Sequence, residues 1–213
     1  MANCLVTKLK GVVDNDNLDY LDWVKINGTF LSDQFSDNIF NEVDSNVEIR
    51  LLNTDGATIS RNGGYVDVTK GSTNKLKLLV PRYLLPQINI LGVNVQFDVL
   101  EFSKIFNLNT FSSNNSHLLN KDLSVFANFP NLLNLSGSEY AFNGNISALA
   151  DCPKLQTISF TYSPYIQGDL SSIKDMPNLT NVRLDHTYIT DNNDAVTYMR
   201  NRGIEVTYVP YDE

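Results

Sequence analysis

Residues 121–132 read KDLSVFANFPNL, residues 144–155 read GNISALADCPKL and residues 168–179 read GDLSSIKDMPNL. These three segments align at every position. Residues 97–108, FDVLEFSKIFNL, align with them as a degenerate first copy in which Phe106 replaces the proline. The leucine that ends each copy recurs after 24, 23 and 24 residues, at Leu108, Leu132, Leu155 and Leu179. A period this regular predicts one structural unit present four times.

The side chains around each of these leucines repeat as well. Three positions later the sequence has Phe111, Leu135, Ile158 and Val182. Upstream, each later copy carries an apolar pair three residues apart: Leu123 and Phe126, Ile146 and Leu149, Leu170 and Ile173. This spacing indicates one helical turn that faces inward. We expect Pro130, Pro153 and Pro177 to end that turn, because the residue before a proline is disfavoured in the helical conformation.

The last copy, Leu179-x-x-Val182-x-Leu184-x-x-Thr187-x-Ile189, resembles the leucine-rich repeat consensus, and the period lies within that family's range. The resemblance covers residues 97–208 and implies a solenoid in which each copy supplies a short strand and a return segment. The sequence departs from the consensus at four positions, Ser113 and Gly137 in place of leucine and Tyr140 and Ser163 in place of an asparagine-like residue. The early repeats are therefore expected to be loosely packed or bulged.

The segments outside the repeats have different patterns. After Ile189, the residues Asp191, Asn192 and Asn193 offer helix-capping oxygens, residues 194–201 read as a helix, and Gly203 ends it before the β-prone residues 204–209. We interpret this segment as a C-terminal cap. Between residues 46 and 80, four short β-like runs are separated by turn signals, which predicts a small antiparallel β domain.

Residues 1–29 show little periodicity, and we interpret them as an extended docking arm. The predicted fold class is therefore α+β. A short leucine-rich-repeat solenoid of about four repeats plus a C-terminal cap is preceded by a small antiparallel β domain and an N-terminal arm. The predicted boundaries are residues 1–29, 30–96 and 97–213.

Charge is distributed unevenly along the chain. The net charge of -8 and the pI near 4.7 argue against binding of nucleic acid. Residues 11–45 hold eight acidic residues against Lys25 alone, whereas residues 46–82 hold six basic residues against three acidic ones. The two segments can engage each other or a partner of opposite charge, or can simply be solvated faces.

No motif in the sequence identifies an enzyme or a cofactor site. His117 and His186 are 69 residues apart without a nucleophile motif. The acidic stretch from Asp14 lacks the glycine and glutamate of a calcium-binding loop, and residues 63–73 lack the spacing of a phosphate-binding loop. Cys4 and Cys152 lack the spacing of a metal site. We predict a non-enzymatic protein without cofactor, metal, signal peptide or membrane span.

The outward side of the repeat strands is rich in serine, threonine and asparagine. Alternation along the strands places Ser112, Ser136, Ser159 and Arg183 at equivalent outward positions, with Asp185 and Tyr162 nearby. We predict that these six residues form a surface that binds a ligand or partner. The chemistry of the surface suits a polar ligand such as a glycan. The alternative is that small hydroxyl side chains pair across the strands and keep the sheet hydrated.

The first residues, MANCLVTKLKGVVDNDNL (1–18), resemble the N-terminus of virion-associated proteins of crAss-like phages that infect Bacteroidetes. The resemblance implies a phage structural or decoration protein, head-fibre-like, located in the virion and oligomeric within an assembly. Its N-terminal arm and β domain would dock on other virion proteins of the capsid or tail, and its repeats would be displayed for interaction, including protein–protein contacts or host surface glycan. The alternative is a leucine-rich repeat protein of the bacterial cytoplasm that binds protein or glycan.

Overall fold

The protein is described by a computed structural model that covers residues 23–33, 36–41, 43, 47–52, 56–83, 86–92, 94–190 and 193–211. The chain forms two compact units, residues 1–108 and residues 109–213. We refer to them as the N-terminal unit and the repeat unit.

The described part of the N-terminal unit is built from short antiparallel strands. They are β1 (Trp23–Phe30), β2 (Ser36–Asn41), β3 (Arg50–Leu51), β4 (Thr58–Asn62), β5 (Tyr65–Thr69), β6 (Lys75–Pro81), β7 (Gln87–Ile90) and β8 (Val95–Phe97). Four of them form a sheet in the order β3-β6-β1-β8, and the other four are neighbours in the order β7-β2-β5-β4. Gly63, at φ 61°, and Gly64 make the two-residue turn between β4 and β5, where a left-handed residue is required.

Residues 23–29 differ from the predicted extended arm because they belong to β1. In Trp23–Phe30 the buried residues Val24, Ile26 and Phe30 alternate with more exposed ones, which is the pattern of a half-buried strand. Strand β1 pairs with both β6 and β8 and so lies inside its sheet. The rest of the predicted arm, residues 1–22, lies outside the described residues.

The repeat unit contains a parallel sheet. Its strands are β9 (Thr110–Ser113), β10 (Asn134–Ser138), β12 (Thr157–Asp169), β13 (Asn181–Thr190) and β14 (Glu205–Pro210), in that spatial order, and the short β11 (Gly144–Asn145) pairs with β12. The register places the second apolar position of every repeat in one buried row: Phe111, Leu135, Ile158, Val182 and Val206. Strands stacked at one per repeat are the arrangement of a leucine-rich-repeat solenoid.

One backbone carbonyl per repeat joins each copy to the next. The carbonyl of Asn109 accepts hydrogen bonds from the N–H groups of Leu133 and Asn134 at 2.7 and 2.9 Å. The carbonyls of Leu133 and Gln156 each accept from two successive N–H groups of the following copy, and that of Thr180 accepts from Glu205. The same contact therefore recurs from β9 to β14 and satisfies backbone groups that burial would otherwise leave unpaired.

The return segments are 3₁₀ helices. They comprise Val99–Lys104 in the N-terminal unit and Leu123–Asn128, Ile146–Asp151 and Leu170–Ser172 in the repeat unit. The predicted inward pairs are buried in all three later copies. A 3₁₀ helix has three residues per turn, so residues i and i+3 lie on one line and both face the core.

Each 3₁₀ helix begins at an acidic or amide residue that the sequence pattern did not single out. Asp98, Asp122, Asn145 and Asp169 each accept a hydrogen bond from the N–H group two residues later. In the repeat unit, two of these capping side chains also occupy the space that a Cβ atom would need at the start of the next copy, so that position requires glycine. A Cβ atom at Gly144 would lie 2.4 Å from Oδ2 of Asp122, and one at Gly168 would lie 2.4 Å from Oδ1 of Asn145. Both glycines have positive φ, 107° and 116°, which favours glycine in any case.

The prolines are consistent with the ends of the turns in all three later copies but are not required for them. Phe129 and Cys152, which precede Pro130 and Pro153, end their helices with ψ of 88° and 75°. In the last copy the 3₁₀ helix ends at Ser172, but the turn continues until the N–H of Met176, directly before Pro177, bonds to the carbonyl of Ile173. Ile105 ends the first helix in the same way, with ψ of 101°, although Phe106 follows it.

The expected loose packing of the early repeats is not observed in the second copy. The ring of Phe142 occupies the space that a leucine at position 137 would fill, since a Cβ atom on Gly137 would lie 2.4 Å from Cδ2 of Phe142. Phe142 is fully buried and packs at ring-centroid distances of 5.2 and 6.1 Å against Phe126 and Phe111. The irregularity occurs in the third copy instead, where the pairing of β12 with β13 shifts between Ser163 and Gln167.

The C-terminal cap has the predicted form. Helix α1 (Asn193–Asn201) is followed by Gly203 at φ 84°, whose N–H bonds to the carbonyl of Arg200, and the N–H of Ile204 bonds to the carbonyl of Met199. This pair of bonds is the Schellman motif. The buried residues Ala195, Val196 and Met199 lie on one side of α1. The predicted capping residues Asp191 and Asn192 lie outside the described residues.

The fold class is therefore α+β, with a short leucine-rich-repeat solenoid and its C-terminal cap preceded in the chain by a small antiparallel β unit. Residues 97–108, the degenerate first copy, are part of the N-terminal unit. The described segments include no helix that is both long enough and apolar enough to cross a membrane.

The contact between Gly137 and Phe142 leads to a prediction about stability. Gly137→Ala introduces a methyl group where Phe142 already fills the space, and we expect a loss of about 1 to 3 kcal/mol in the free energy of unfolding. Urea denaturation followed by circular dichroism measures this loss. Ser136→Ala, one residue away on the outward side, is the matched control and should change the free energy by less than about 0.5 kcal/mol. Equal effects of the two substitutions would contradict the packing account.

Candidate functional site

The outward side of the parallel sheet brings four of the predicted residues into one row. Ser112 pairs in register with Ser136, Ser136 with Ser159, and Ser159 with Arg183. The three serines are half-buried and Arg183 is exposed. Neighbouring strands are about 4.8 Å apart, so this row, which we call the polar row, presents hydroxyl groups at a short and regular spacing.

Asp185 is in contact with the polar row through Arg183. Oδ2 of Asp185 accepts a hydrogen bond from Nε of Arg183 at 2.6 Å, and the carboxylate side chain is far less exposed than the arginine, 12% against 56%. Oδ1 of Asp185 is buried without a hydrogen-bond partner among the described residues. The charge-assisted bond through Nε fixes the guanidinium group of the exposed arginine.

Tyr162 lies beyond the polar row and has an unusual backbone. Its φ is 50° and its side chain is exposed, and its ring stacks on His186 with the centroids 4.6 Å apart and the planes 16° from parallel. His186 has φ 55° and Glu139 has φ 56°. All three residues come seven positions after the repeat leucine, so the left-handed backbone belongs to the repeat. A non-glycine residue in this region is uncommon.

Further aromatic rings extend this stack. The ring of His186 contacts Tyr211 at 6.5 Å, and Tyr211 contacts Tyr188 at 5.0 Å. We call Tyr162, His186, Tyr188 and Tyr211 the aromatic cluster. A separate pair, Tyr140 and Tyr165, lies with centroids 5.6 Å apart. Sequence reasoning missed His186, Tyr188 and Tyr211, although seven of the ten tyrosines follow residue 109, and that concentration was an available signal.

The described residues do not assemble a recognised catalytic or metal-binding constellation. Among them, no group of three or more His, Cys, Asp or Glu side chains is placed to hold a metal ion. His117 is exposed, and its backbone N–H donates a hydrogen bond to Oδ1 of Asn115. His117 and His186 are 69 residues apart in the sequence. The start of the acidic stretch at Asp14 and the thiol of Cys4 lie outside the described residues.

Three of the six basic residues between positions 46 and 82 make contacts within the N-terminal unit. Arg50 pairs with Glu48 at 2.7 Å and lies over the ring of Trp23, and Arg61 donates hydrogen bonds to the backbone carbonyls of Val43 and Val47. Lys70 contacts Asp33 at 3.1 Å, but the Asp33 side chain is fully exposed, so that pair adds little stability. These contacts favour a structural use of the three residues.

A polar cleft of about 570 Å³ lies on the N-terminal unit and is lined by Ser36, Asp37, Asn38, Ser60, Tyr65, Asp67 and Thr69. Burial raises the pKa of the Asp37 carboxyl, and the charge of Asp67 adds to this, whereas hydrogen bonds from the backbone N–H groups of Asn94 and Asn38 act in the opposite direction. Oδ2 of Asp37 accepts from the Asn94 N–H at 3.0 Å. The carboxylate of Asp37 therefore holds the backbone of the loop at Asn94.

Comparison with known proteins adds a similarity to bacterial leucine-rich repeat structures. No protein-family model and no curated protein matches this chain. Internalin C2 (inlC2) of Listeria monocytogenes is similar over 53% of this chain and 46% of its own, with 22% identity and a TM-score of 0.36. Internalin inlF of the same organism is similar over 53% of this chain and 37% of its own, with 20% identity and a TM-score of 0.37. The match thus spans less than half of either internalin.

The thiol of Cys152 yields a pH prediction. Burial raises its pKa to about 11, and the neighbouring charge of Asp151 contributes. Because the thiolate is the reactive form, alkylation of a Cys4→Ser variant should be about a hundredfold slower at pH 8 than that of an ordinary thiol. The rate should rise about tenfold per pH unit up to the pKa. Mass spectrometry of iodoacetamide-treated protein between pH 7 and 10 measures this, with the urea-unfolded chain as control. A plateau below pH 9 would contradict the raised pKa.

Proposed function

We propose that this protein is a non-enzymatic interaction protein of a phage virion, a decoration or head-fibre-like component whose leucine-rich repeats are displayed for recognition. The observation that carries the interaction role is the polar row, which repeats one kind of chemistry across neighbouring strands. The virion role is supported by the resemblance of residues 1–18 to leaders of virion-associated proteins of crAss-like phages.

In this proposal the N-terminal part attaches the protein to the particle. Strand β1 begins at Trp23 and pairs along its length with β6, so the antiparallel sheet includes residues from position 23 onward. Residues 1–22 precede β1 in the sequence, and the proposal assigns the docking role to them. The capsid or tail protein to which they bind is the proposed partner, and the resulting assembly presents many copies of the repeats.

The attachment proposal predicts the effect of a truncation. Deletion of residues 1–22 should leave a folded protein with unchanged circular dichroism, because β1 and its partners remain intact, but the shortened chain should no longer be incorporated into particles. Mass spectrometry of purified virions measures incorporation. A chain in which the order of residues 2–22 is scrambled is the matched control and should fail in the same way. Normal incorporation of the truncated chain would contradict the docking role.

The same measurement separates the proposal from its alternative. Absence of the intact protein from purified virions, with recovery from bacterial cells, would favour a cytoplasmic leucine-rich repeat protein that binds protein or glycan. Presence in virions at a stoichiometry of many copies per particle would support decoration.

The recognition proposal predicts weak single-site binding at the polar row. The residues proposed to bind a ligand there are Ser112, Ser136, Ser159, Arg183, Asp185 and Tyr162. Each neutral hydrogen bond contributes about 0.5 to 1.5 kcal/mol, so useful affinity depends on many displayed copies. Full-length protein coupled to beads should bind host cell-surface polysaccharide. The double variant Ser136→Leu, Ser159→Leu should lose most of that binding, whereas Ser124→Leu, Ser147→Leu on the return segments should retain it. Equal binding by both variants would contradict recognition at this row.

A further inference from the structure

We propose that the aromatic cluster is the anchoring subsite for the ligand and that it stacks against a pyranose ring of a neutral saccharide. The inference rests on the recognition role proposed above and assigns both the chemical class of the ligand and its principal contact. It places the anchor on Tyr162, His186, Tyr188 and Tyr211, of which three were not expected from the sequence.

The four rings contact one another in one continuous series. Tyr162 and His186 are stacked nearly parallel at 4.6 Å, and Tyr211 bridges from His186 to Tyr188 at 6.5 and 5.0 Å. Tyr162 is 60% exposed and Tyr188 48% exposed. Rings that support one another at their edges and faces lose little side-chain freedom when a ligand binds, which lowers the entropic cost of binding.

The choice of residue at position 162 is unfavourable for folding alone. The equivalent positions of three repeats are left-handed, and in the second repeat Glu139 occupies this position. Glycine or asparagine adopts the left-handed conformation at lower cost than a tyrosine does. A bulky ring that is both exposed and held in this conformation is therefore better explained by what it contacts outside the fold.

The surroundings of the cluster favour a saccharide over an apolar protein surface. Thr161 and Asp185 directly precede Tyr162 and His186 in sequence and are cross-strand neighbours. Ser159 and Arg183 of the polar row lie three residues before Tyr162 and His186 on the same two strands. A pyranose combines an apolar C–H face with hydroxyl groups at its edge and matches both features. The interior of a protein interface is instead depleted of such charged groups.

The charges nearby favour a neutral saccharide. Arg183 is already paired with Asp185 at 2.6 Å, so it contributes no excess positive charge. Glu139, which occupies the position of the second repeat equivalent to Tyr162 and His186, is acidic and exposed. A saccharide carrying carboxylate or sulfate groups would meet repulsion on this face, whereas a neutral hexose polymer would not.

The test uses the full 213-residue chain and a panel of saccharide fragments. The neutral members are laminarihexaose, cellohexaose, a β-1,4-galactan fragment and an α-mannan fragment, and the acidic members are oligogalacturonate and a heparin hexasaccharide. Saturation-transfer NMR and calorimetry measure binding. We expect at least one neutral member to bind and both acidic members to bind at least tenfold more weakly.

Variants at position 162 test the stacking. Tyr162→Phe keeps the ring and should change the affinity less than threefold. Tyr162→Asn suits the left-handed backbone, so it should retain the melting temperature while weakening binding at least tenfold. Tyr65→Ala, an exposed tyrosine of the N-terminal unit, is the control and should bind as the unaltered chain does. If Tyr162→Asn fails to fold, Tyr188→Ala and Tyr211→Ala replace it, with the same expected loss.

Several results would overturn the inference. They are no binding by any neutral member, preference for an acidic member, or equal binding by the Tyr162→Phe and Tyr162→Asn variants. A protein partner that depends on the Tyr162 ring, with no saccharide bound, would also overturn it. These outcomes are distinct from failure of the virion proposal, which depends on residues 1–22 and on particle incorporation. A chain excluded from virions can still bind a hexasaccharide through Tyr162.

Discussion

The hydrogen bonds that one carbonyl in each repeat accepts from the following repeat set the geometry of the whole repeat unit. The carbonyls of Asn109, Leu133 and Gln156 each accept from two successive N–H groups about 24 residues later. This contact fixes the register in which Leu135 and Ile158 meet inside the sheet. It equally fixes the register outside, because a shift of one residue would exchange the inward and outward faces of a strand. Core packing and the polar row therefore depend on the same bonds.

The sheet is regular over its first strand positions and irregular beyond them. The inward face is filled by large rings, and Gly137 is required where Phe142 approaches. The pairing shift between Ser163 and Gln167 occurs after the six regularly paired residues of β12, where no carbonyl of the inter-repeat series is disturbed. The extra residues lie within β12, and Ile166 among them is fully buried and belongs to the core. The exposed ring of Tyr162 directly precedes this segment.

Regular features of the fold could be predicted from the sequence, and local exceptions could not. The spacing of Leu132, Leu155 and Leu179 is a property of the whole array, so it identified the repeats, and simple alternation identified the serines of the polar row. Alternation fails at Tyr162 and His186 because a left-handed residue turns the chain, and their stacking could not be read from the pattern. Strand β1 was missed because Gly28 interrupts its apolar alternation, although Phe97 fills the space above that glycine, with a ring atom 2.8 Å from where its Cβ would be.

The glycines at positions 144 and 168 allow successive return segments to lie close together. Each lies against the helix-capping side chain of the preceding repeat, Asp122 or Asn145, with no room for a Cβ atom. At the equivalent position of the copy that begins at residue 121 the sequence has Lys121. A side chain at Gly144 or Gly168 would have to displace the cap of the preceding repeat. The close stacking of successive return segments in the later repeats therefore depends on two positions that carry no side chain at all.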